Sequence, residues 1–326
     1  MVRVTPIRPL AALLSLGLLA AACSSDDESP RPTGSSGNAS GMVAVAASVD
    51  LYTGDPQRVD LGLFMPDNSF VSFGTVDVSF SLVGDAAQAS VQPGPRAAAV
   101  FVPTYGMPNE RSSRPVVTQP DEGRGVYEAT DVVFDTAGVW VAEVTADVRG
   151  LGPQTAQVSF AVQEHPSLPA PGDRAQPTEN LTVHSKGVPL AAIDSRAATK
   201  GTIPDPALHE WTIARAIAEG RPALVVFATP LFCESRFCGP VTDMVEDLSH
   251  RYDDRAVFIH IEIWKDFENQ VLNRAALDWL QMPNGDLTEP WLFLIGADGT
   301  IVDRWSSMWS EREVQTELEA LPPMKR

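Results

Sequence analysis

The stretch ALVVFATPLFCESRFCGPVTDMVED, residues 223–247, carries a short apolar run, two cysteines and an amphipathic segment in succession. The β-branched and aromatic residues at 224–227 predict a buried strand. Proline suits the first turn of a helix because its missing N–H is not needed there, so we expect a helix to begin at Pro240. The apolar residues of this helix recur at helical spacing, at Val241, Met244, Val245, Leu248 and Tyr252.

Two cysteines, Cys233 and Cys238, lie between the predicted strand and the predicted helix. Cys238 comes at or just before the N-cap, where free N–H groups and the positive end of the helix dipole favour a thiolate. A cysteine pair in this position indicates a thiol–disulfide centre. A structural disulfide that only staples the short loop is the alternative.

This layout resembles the thioredoxin superfamily, whose members carry an aromatic-Cys-Gly-Pro-Cys signature after a buried strand. Residues 237–240, Phe-Cys-Gly-Pro, match the signature, but Val241 stands in place of its second cysteine. The resemblance implies that Cys238 is the attacking thiol and Cys233 the resolving one, the two forming a C-x4-C disulfide. Counting from Phe227 instead exchanges these roles, and the predicted helix start favours Cys238 as the attacking thiol.

Residues 289–302 extend the resemblance. Glu289-Pro290 precedes an apolar run, and Asp298-Gly299 is a turn sequence, so the segment predicts a β-hairpin. Thioredoxin-like proteins place a cis-proline beside the cysteine pair. The resemblance implies this role for Pro290, with neighbouring backbone groups open to an extended substrate. A trans proline that begins a strand is the alternative.

Residues 256–264 predict a second buried strand, with His260 and Glu262 on one face. Thioredoxins bury an aspartate beneath the cysteines, and Val226 stands near that position here. The resemblance therefore makes His260 and Glu262 candidates for the missing acid/base, and we assign the role to Glu262. A core histidine beside an ordinary paired carboxylate is the alternative.

A C-terminal helix is predicted from the capping box Ser310-Glu311-Arg312-Glu313. Thioredoxin-like domains end on such a helix. Its apolar residues recur at Val314, Leu318 and Leu321.

The N-terminus has the features of a targeting segment. Arg3 and Arg8 lead into an apolar run that is too short to span a bilayer, which predicts a signal peptide over residues 1–22. The small residues before Cys23 resemble a bacterial lipobox. This implies that Cys23 is lipidated and anchors the protein at the outer face of the bacterial cell membrane, where disulfides form. An ordinary secretory signal that leaves Cys23 as a free thiol is the alternative.

The remaining segments predict a multidomain protein. Residues 23–41 are rich in Ser, Pro, Gly and acidic residues and predict a disordered tether. Alternating apolar and polar residues over 42–163 predict an all-β sandwich that resembles an immunoglobulin-like module, with Trp140 in its core. A proline-rich linker over 164–204 then leads to the α/β thioredoxin-like domain over 205–326.

Charge restricts the possible partners. The formal charge of −18 becomes −20 when Arg3 and Arg8 leave with the signal peptide. This excess of acid argues against nucleic-acid binding and against direct attraction to anionic lipids, so membrane attachment would depend on the lipid anchor.

Thiol–disulfide exchange with extracytoplasmic protein thiols or disulfides is the expected function, and neither a cofactor nor a metal is expected. The β-sandwich is interpreted as a spacer or as a docking module for an unidentified protein. A binding or scaffold lipoprotein with an inert disulfide is the main alternative. Copper binding by the two cysteines and His260 fits less well, because thioredoxin-like copper-delivery proteins use a C-x-x-x-C spacing.

Overall fold

The computed structural model describes residues 41–83, 91–107, 112–233 and 235–324. The predictions for the signal peptide, for Cys23 and for the tether up to residue 40 lie outside these ranges. No helix within the described ranges is long and apolar enough to span a membrane. The fold is built around a large antiparallel sheet and a smaller mixed sheet.

Nine antiparallel strands form the large sheet in the described part of the chain. They are β1 (Val43–Ala46), β2 (Pro56–Phe64), β3 (Phe70–Ser72), β4 (Thr75–Val83), β5 (Val91–Pro103), β6 (Val116–Thr118), β7 (Gly125–Val133), β8 (Gly138–Val148) and β9 (Gly152–Val162). The order is β6-β3-β2-β7-β5-β4-β8-β9, and β1 pairs with β2. Strand β5 pairs with β4 over residues 91–100 and with β7 over residues 100–103. Strand β5 thus joins the half of the sheet that contains β7, β2, β3 and β6 to the half that contains β4, β8 and β9. The predicted sandwich is therefore one continuous hydrogen-bonded sheet.

The core of the large sheet follows from the alternation in the sequence. Along β8, Trp140, Ala142 and Val144 are buried, whereas the residues between them are more exposed. The Trp140 ring packs edge-on against Phe134 at 4.9 Å, and its Nε1–H donates to the Thr136 carbonyl at 2.9 Å. Buried residues from both halves of the sheet join in one hydrophobic cluster. The predicted core position of Trp140 is confirmed.

The ranges 164–233 and 235–324 contain six further strands and five α-helices. The strands are β10 (Ala223–Phe227), β11 (Val257–Ile261), β12 (Trp264–Asp266), β13 (Val271–Leu272), β14 (Trp291–Ile295) and β15 (Ile301–Ser306). The helices are α1 (Ala197–Lys200), α2 (Ile213–Ala218), α3 (Cys238–Arg251), α4 (Arg274–Leu280) and α5 (Glu311–Ala320), with 3-10 helices at Leu190–Ala192 and Pro206–His209. The smaller sheet has the order β11-β10-β14-β15, in which only β10 and β11 are parallel. Strands β12 and β13 form a separate antiparallel pair.

Helices cover both faces of the smaller sheet. Strand β10 is buried along its whole length because its residues are apolar on both faces. Leu224 and Val226 share a hydrophobic cluster with residues of α3 and α5. Val225 and Phe227 share another with residues of α2 and α4. The predicted strand at 224–227 and the predicted hairpin of β14 and β15 are therefore confirmed.

Two helix starts differ in detail from the sequence predictions. Helix α3 begins at Cys238, two residues before Pro240, and the proline still lies in the first turn, where backbone N–H groups lack helical partners. Helix α5 follows Ser310 as expected, but the predicted capping box is wrong, because the Ser310 side chain makes no cap hydrogen bond. The Glu313 carboxylate instead lies 3.3 Å from Nε of Arg58 on β2.

The segment over residues 164–204, predicted as a linker, packs against the smaller sheet. Its backbone N–H groups at Gly172 and Ala175 donate to the carbonyl oxygens of Ile301 and Gly299, each at 2.9 Å. Its apolar residues Leu168, Ala170 and Ala175 are buried. The domain boundaries at residues 163 and 205 stay predictions.

A buried ion pair joins β15 to the segment between β1 and β2. Arg304 donates from Nη1 to Oδ2 of Asp50 at 2.8 Å and from Nη2 to the Asp50 carbonyl at 3.0 Å. Nη1 also donates to the carbonyl oxygens of Leu168 and Pro169, both at 3.1 Å. The two charged side chains are almost fully buried. Removal of either partner would therefore leave an uncompensated charge inside the protein.

Arg304→Met is expected to lower the free energy of unfolding by about 3–5 kcal/mol, because the Asp50 carboxylate would stay buried without its cation. Urea unfolding followed by tryptophan fluorescence measures the change. Arg312→Met, at an exposed position of α5, is the control and should change stability by less than about 0.5 kcal/mol. A loss below about 1 kcal/mol for Arg304→Met would contradict this role.

Several acidic side chains surround Arg58 at the contact between the large sheet and α5. Arg58 pairs with Asp303 at 2.7 Å and with Glu313 at 3.3 Å. Burial, and then the Glu313 carboxylate, raise the pKa of Glu128 to about 8. Burial, and then the Glu128 carboxylate, raise the pKa of Asp60 well above its usual value. Glu128 is therefore protonated at neutral pH in the folded protein and ionised in the unfolded chain.

Because the folded pKa of Glu128 exceeds its unfolded value of 4.5, its stabilising contribution is complete below pH 4.5 and is lost as the pH rises towards 8. Glu128→Gln removes this dependence. We expect the variant to gain on the order of 1–3 kcal/mol over the wild type between about pH 5 and pH 8, measured by urea unfolding. Glu143→Gln, on the exposed face of β8, is the control. Equal pH dependence in Glu128→Gln and the wild type would refute the prediction.

Candidate functional site

The cysteine pair lies in the loop that joins β10 to α3. Cys233 and Cys238 form a disulfide with their Cα atoms 6.0 Å apart, as the sequence predicts. Cys238 is the first residue of α3 and is fully buried. Cys233 is partly exposed at the surface of the loop. A reagent in solution can thus reach Cys233, whereas Cys238 is covered.

Polar groups at the start of α3 surround the Cys233 sulfur. The backbone N–H of Cys238 donates to Cys233 Sγ at 3.4 Å, and Ser235 Oγ lies 3.2 Å from the same sulfur. The Thr242 hydroxyl donates to the Cys238 carbonyl at 2.7 Å within the first turn. A helix N-terminus favours negative charge, so these groups would stabilise a thiolate at Cys233 when the disulfide is reduced.

The chain returns to the disulfide at Glu289 and Pro290, just before β14. The peptide bond between these residues is cis, and Pro290 is buried. A carboxylate oxygen of Glu289 lies within 4.8 Å of both cysteine sulfurs. The Thr229 N–H donates to Glu289 Oε2 at 2.8 Å, which ties this side chain to the end of β10. Sequence reasoning selected Pro290 and missed Glu289, although the position of Glu289 directly before the predicted cis-proline was an available signal.

An open cleft of about 920 Å³ runs beside Cys233. The rings of Phe232 and Phe267 stack at 3.9 Å, and Trp264 packs edge-on against Phe267 at 5.5 Å. Other lining residues include Cys233, Leu287 and Glu289. The partly exposed Cys233 therefore borders a mainly apolar, aromatic groove large enough for the side chains of a polypeptide.

Glu262, predicted as an acid/base, is buried at the end of β11. Its Oε2 accepts from the Ser195 N–H at 2.8 Å, and its Oε1 accepts from the N–H groups of Ile263 and Trp264. Burial raises the pKa of Glu262. The Ser195 hydroxyl accepts from the Leu231 N–H at 3.1 Å, two residues before Cys233. Through Ser195, Glu262 is connected to the cysteine loop by hydrogen bonds.

His260 belongs to a second, fully buried group of titratable side chains. Asp194, His209 and His260 each place a nitrogen or oxygen atom within 4.8 Å of the others. His260 was a candidate from the sequence, but Asp194 and His209 were missed. Asp194 lies in an irregular segment and His209 ends a 3-10 helix, both far from β11 along the chain, and no spacing motif links them to this strand.

Comparison of the chain with protein-family models found no match, and comparison with curated proteins also found none.

Glu289→Gln is expected to increase the alkylation rate of the reduced protein at neutral pH by about 3-fold or more. The substitution removes a negative charge near the sulfurs, and such a charge disfavours a thiolate. Iodoacetamide labelling followed by mass spectrometry measures the rate at Cys233.

Asp286→Asn is the matched control, because Asp286 lines the same cleft but its carboxylate contacts Asn284. We expect an alkylation rate close to that of the wild type. If Glu289→Gln and Asp286→Asn alter the rate equally, the Glu289 carboxylate has no specific effect on the sulfurs.

Proposed function

We propose that this protein is a membrane-anchored, extracytoplasmic thiol–disulfide exchange protein that acts through Cys233 and Cys238. One observation carries the proposal: the disulfide lies at the N-terminus of α3, with the partly exposed Cys233 beside an apolar cleft. A bond that served only to staple the loop would need neither the access nor the groove.

A thioredoxin-like fold of the smaller sheet is part of this proposal. The strand order β11-β10-β14-β15 supports it, as do the positions of α3 directly after the central strand and of α5 after the last strand. The cis peptide bond before Pro290, next to the Glu289 side chain that approaches the sulfurs, agrees with the expected place of the family's proline.

Cys233 is the attacking thiol in the proposed mechanism, and Cys238 resolves. This is the second of the two assignments that the sequence left open. Exposure favours it, because Cys238 is buried while Cys233 borders the cleft. The Cys238 N–H, at the positive end of α3, faces the Cys233 sulfur and would stabilise its thiolate.

The reaction proceeds by two exchange steps. In the reduced protein, the Cys233 thiolate attacks a client disulfide, which forms a mixed disulfide and releases one client sulfur as a thiolate that takes up a proton. Cys238 then loses its proton and attacks Cys233, which releases the second client sulfur. Two electrons pass to the client, and an external dithiol must reduce the pair again. The reverse sequence oxidises a client dithiol.

Glu262 is a positioning residue in this scheme. Its carboxylate holds Ser195, whose hydroxyl holds the backbone of Leu231. These hydrogen bonds fix the loop that carries Cys233, although Glu262 itself is buried.

The proposed location depends on the N-terminal sequence. Lipidation at Cys23 would hold the protein at the outer face of the membrane, with client thiols and disulfides reached across the tether. The large sheet, interpreted as an immunoglobulin-like module, would hold the redox part at a distance or dock a protein partner.

A scaffold lipoprotein with an inert disulfide is the second candidate function, and the complete burial of Cys238 favours it. A resolving cysteine must reach its partner after the first exchange step, and a covered sulfur can do so only when the loop moves. A reduction potential below about −300 mV would favour this candidate.

Cys238→Ser is expected to accumulate a mixed disulfide with insulin or another client that contains a disulfide. Cys233 attacks the client disulfide, and no second cysteine is present to resolve the adduct. Non-reducing electrophoresis and mass spectrometry measure the adduct. Cys233→Ser is the matched control and should accumulate about 10-fold less adduct, because its remaining sulfur is buried.

An adduct on Cys233→Ser but not on Cys238→Ser would reverse the assigned roles. If neither variant forms an adduct and the wild type does not reduce insulin, the exchange function is refuted and the scaffold is favoured.

A further inference from the structure

The buried group formed by Asp194, His209 and His260 has no role in the proposed exchange reaction. It lies between the Pro206–His209 3-10 helix, the segment before α1 and strand β11. All three side chains are fully buried. Burying titratable groups is costly unless a partner compensates their charge and polarity.

The hydrogen bond of His260 determines which of its nitrogens carries a proton. His260 Nε2 lies 3.0 Å from the carbonyl oxygen of Ala228, which can only accept, so Nε2 carries the hydrogen. In the neutral imidazole, Nδ1 then presents a lone pair. Nδ1 lies 3.6 Å from Oδ2 of Asp194, and among the described residues it has no hydrogen-bond partner. Two acceptors at this distance repel each other unless a proton or a metal ion lies between them.

His209, like His260, lies close to Asp194. Its Nε2 lies 3.4 Å from Oδ2 of Asp194, yet within the described part of the chain neither ring nitrogen has a hydrogen-bond partner. One nitrogen from each imidazole and one carboxylate oxygen therefore lie within 4.8 Å of one another.

The separations match those of a metal site. Nitrogen and oxygen ligands bind zinc at about 2.0–2.1 Å, which places neighbouring ligands of a tetrahedral ion about 3.3 Å apart. The separations from Asp194 Oδ2 to the two histidine nitrogens, 3.4 Å and 3.6 Å, are close to this value. A metal-binding histidine typically donates its other ring N–H to a carbonyl or carboxylate oxygen, which orients the ring. The hydrogen bond from His260 Nε2 to the Ala228 carbonyl oxygen is a contact of this kind.

The surrounding charges also favour a cation. Arg196 pairs with Asp194 at 2.8 Å, with Asp205 at 3.0 Å and with Asp243 at 3.4 Å. One guanidinium thus faces three carboxylates, which leaves an excess of negative charge. A divalent ion beside Asp194 would balance this excess. Both carboxylate oxygens of Asp194 also accept from Arg196, Oδ1 from Nε at 3.1 Å and Oδ2 from Nη2 at 2.8 Å, so an ion on Oδ2 would share this oxygen with the guanidinium.

We propose that Oδ2 of Asp194, Nε2 of His209 and Nδ1 of His260 bind a divalent transition-metal ion, and that zinc suits this nitrogen and oxygen donor set. The ion would hold the segment before α1 against β11. Because Ser195 contacts the cysteine loop, the metal would also help to fix that loop. The ligands lie outside the cysteine pair, so the proposal does not depend on the exchange function.

Zinc binding by the full chain, purified without a polyhistidine tag and with its disulfide intact, tests the proposal. After removal of metal with a chelator, the protein is titrated with Zn²⁺ in competition with a chromophoric chelator. We expect one ion per chain and a higher unfolding temperature with zinc. His209→Gln should weaken binding by about 100-fold or more. His184→Gln, at an exposed histidine paired with Glu210, is the control and should bind as the wild type does.

Cobalt provides a second measurement that needs no variant in the core. Co²⁺ bound to the wild type should show the visible spectrum of nitrogen and oxygen ligands without a thiolate-to-cobalt charge-transfer band. Failure of the wild type to bind one equivalent of zinc would overturn the proposal. Unchanged affinity in His209→Gln, or a thiolate band with cobalt, would overturn it as well. If His209→Gln does not fold, the stoichiometry and the cobalt spectrum of the wild type decide the matter.

Discussion

The two-sided pairing of strand β10 is the constraint on which the site depends. This strand is hydrogen-bonded to β11 on one side and to β14 on the other, and helices cover both of its faces. Its end is therefore fixed at the centre of the smaller sheet. The loop with Cys233 leaves from this end, the Ala228 carbonyl orients His260, and the Thr229 N–H holds Glu289.

Opposing electrostatic effects meet at the cysteine pair. The N–H at the start of α3 faces the Cys233 sulfur and favours a thiolate, whereas the nearby Glu289 carboxylate disfavours one. The balance between them would set how easily the disulfide is reduced. In the proposed exchange reaction, the apolar cleft would favour clients that present aromatic or aliphatic side chains beside Cys233.

The contact between the two sheets consists of charged groups as well as apolar ones. Arg304 is almost completely buried against Asp50, and Arg58 lies among acidic side chains that include the protonated Glu128. Val102 of β5 also joins the hydrophobic cluster that contains residues of α3 and α5. The large sheet thus supports the elements that hold the cysteine pair. Substitutions that disrupt this contact are therefore expected to alter the structure around the cysteine pair.

The sequence by itself determined the features that depend on neighbouring residues. Apolar runs predicted β10 and the hairpin of β14 and β15, and alternation of apolar and polar residues predicted the strands around Trp140. Such patterns can be read from a few neighbouring residues, because each buried face of a strand requires apolar side chains. The placement of Cys233 and Cys238 between a predicted strand and a predicted helix likewise indicated a thiol–disulfide centre. Only the tertiary structure decided which sulfur is exposed, that Glu289 approaches the pair, and that Asp194, His209 and His260 meet. These relations join distant segments, and local periodicity carries no information about which distant side chains pack together.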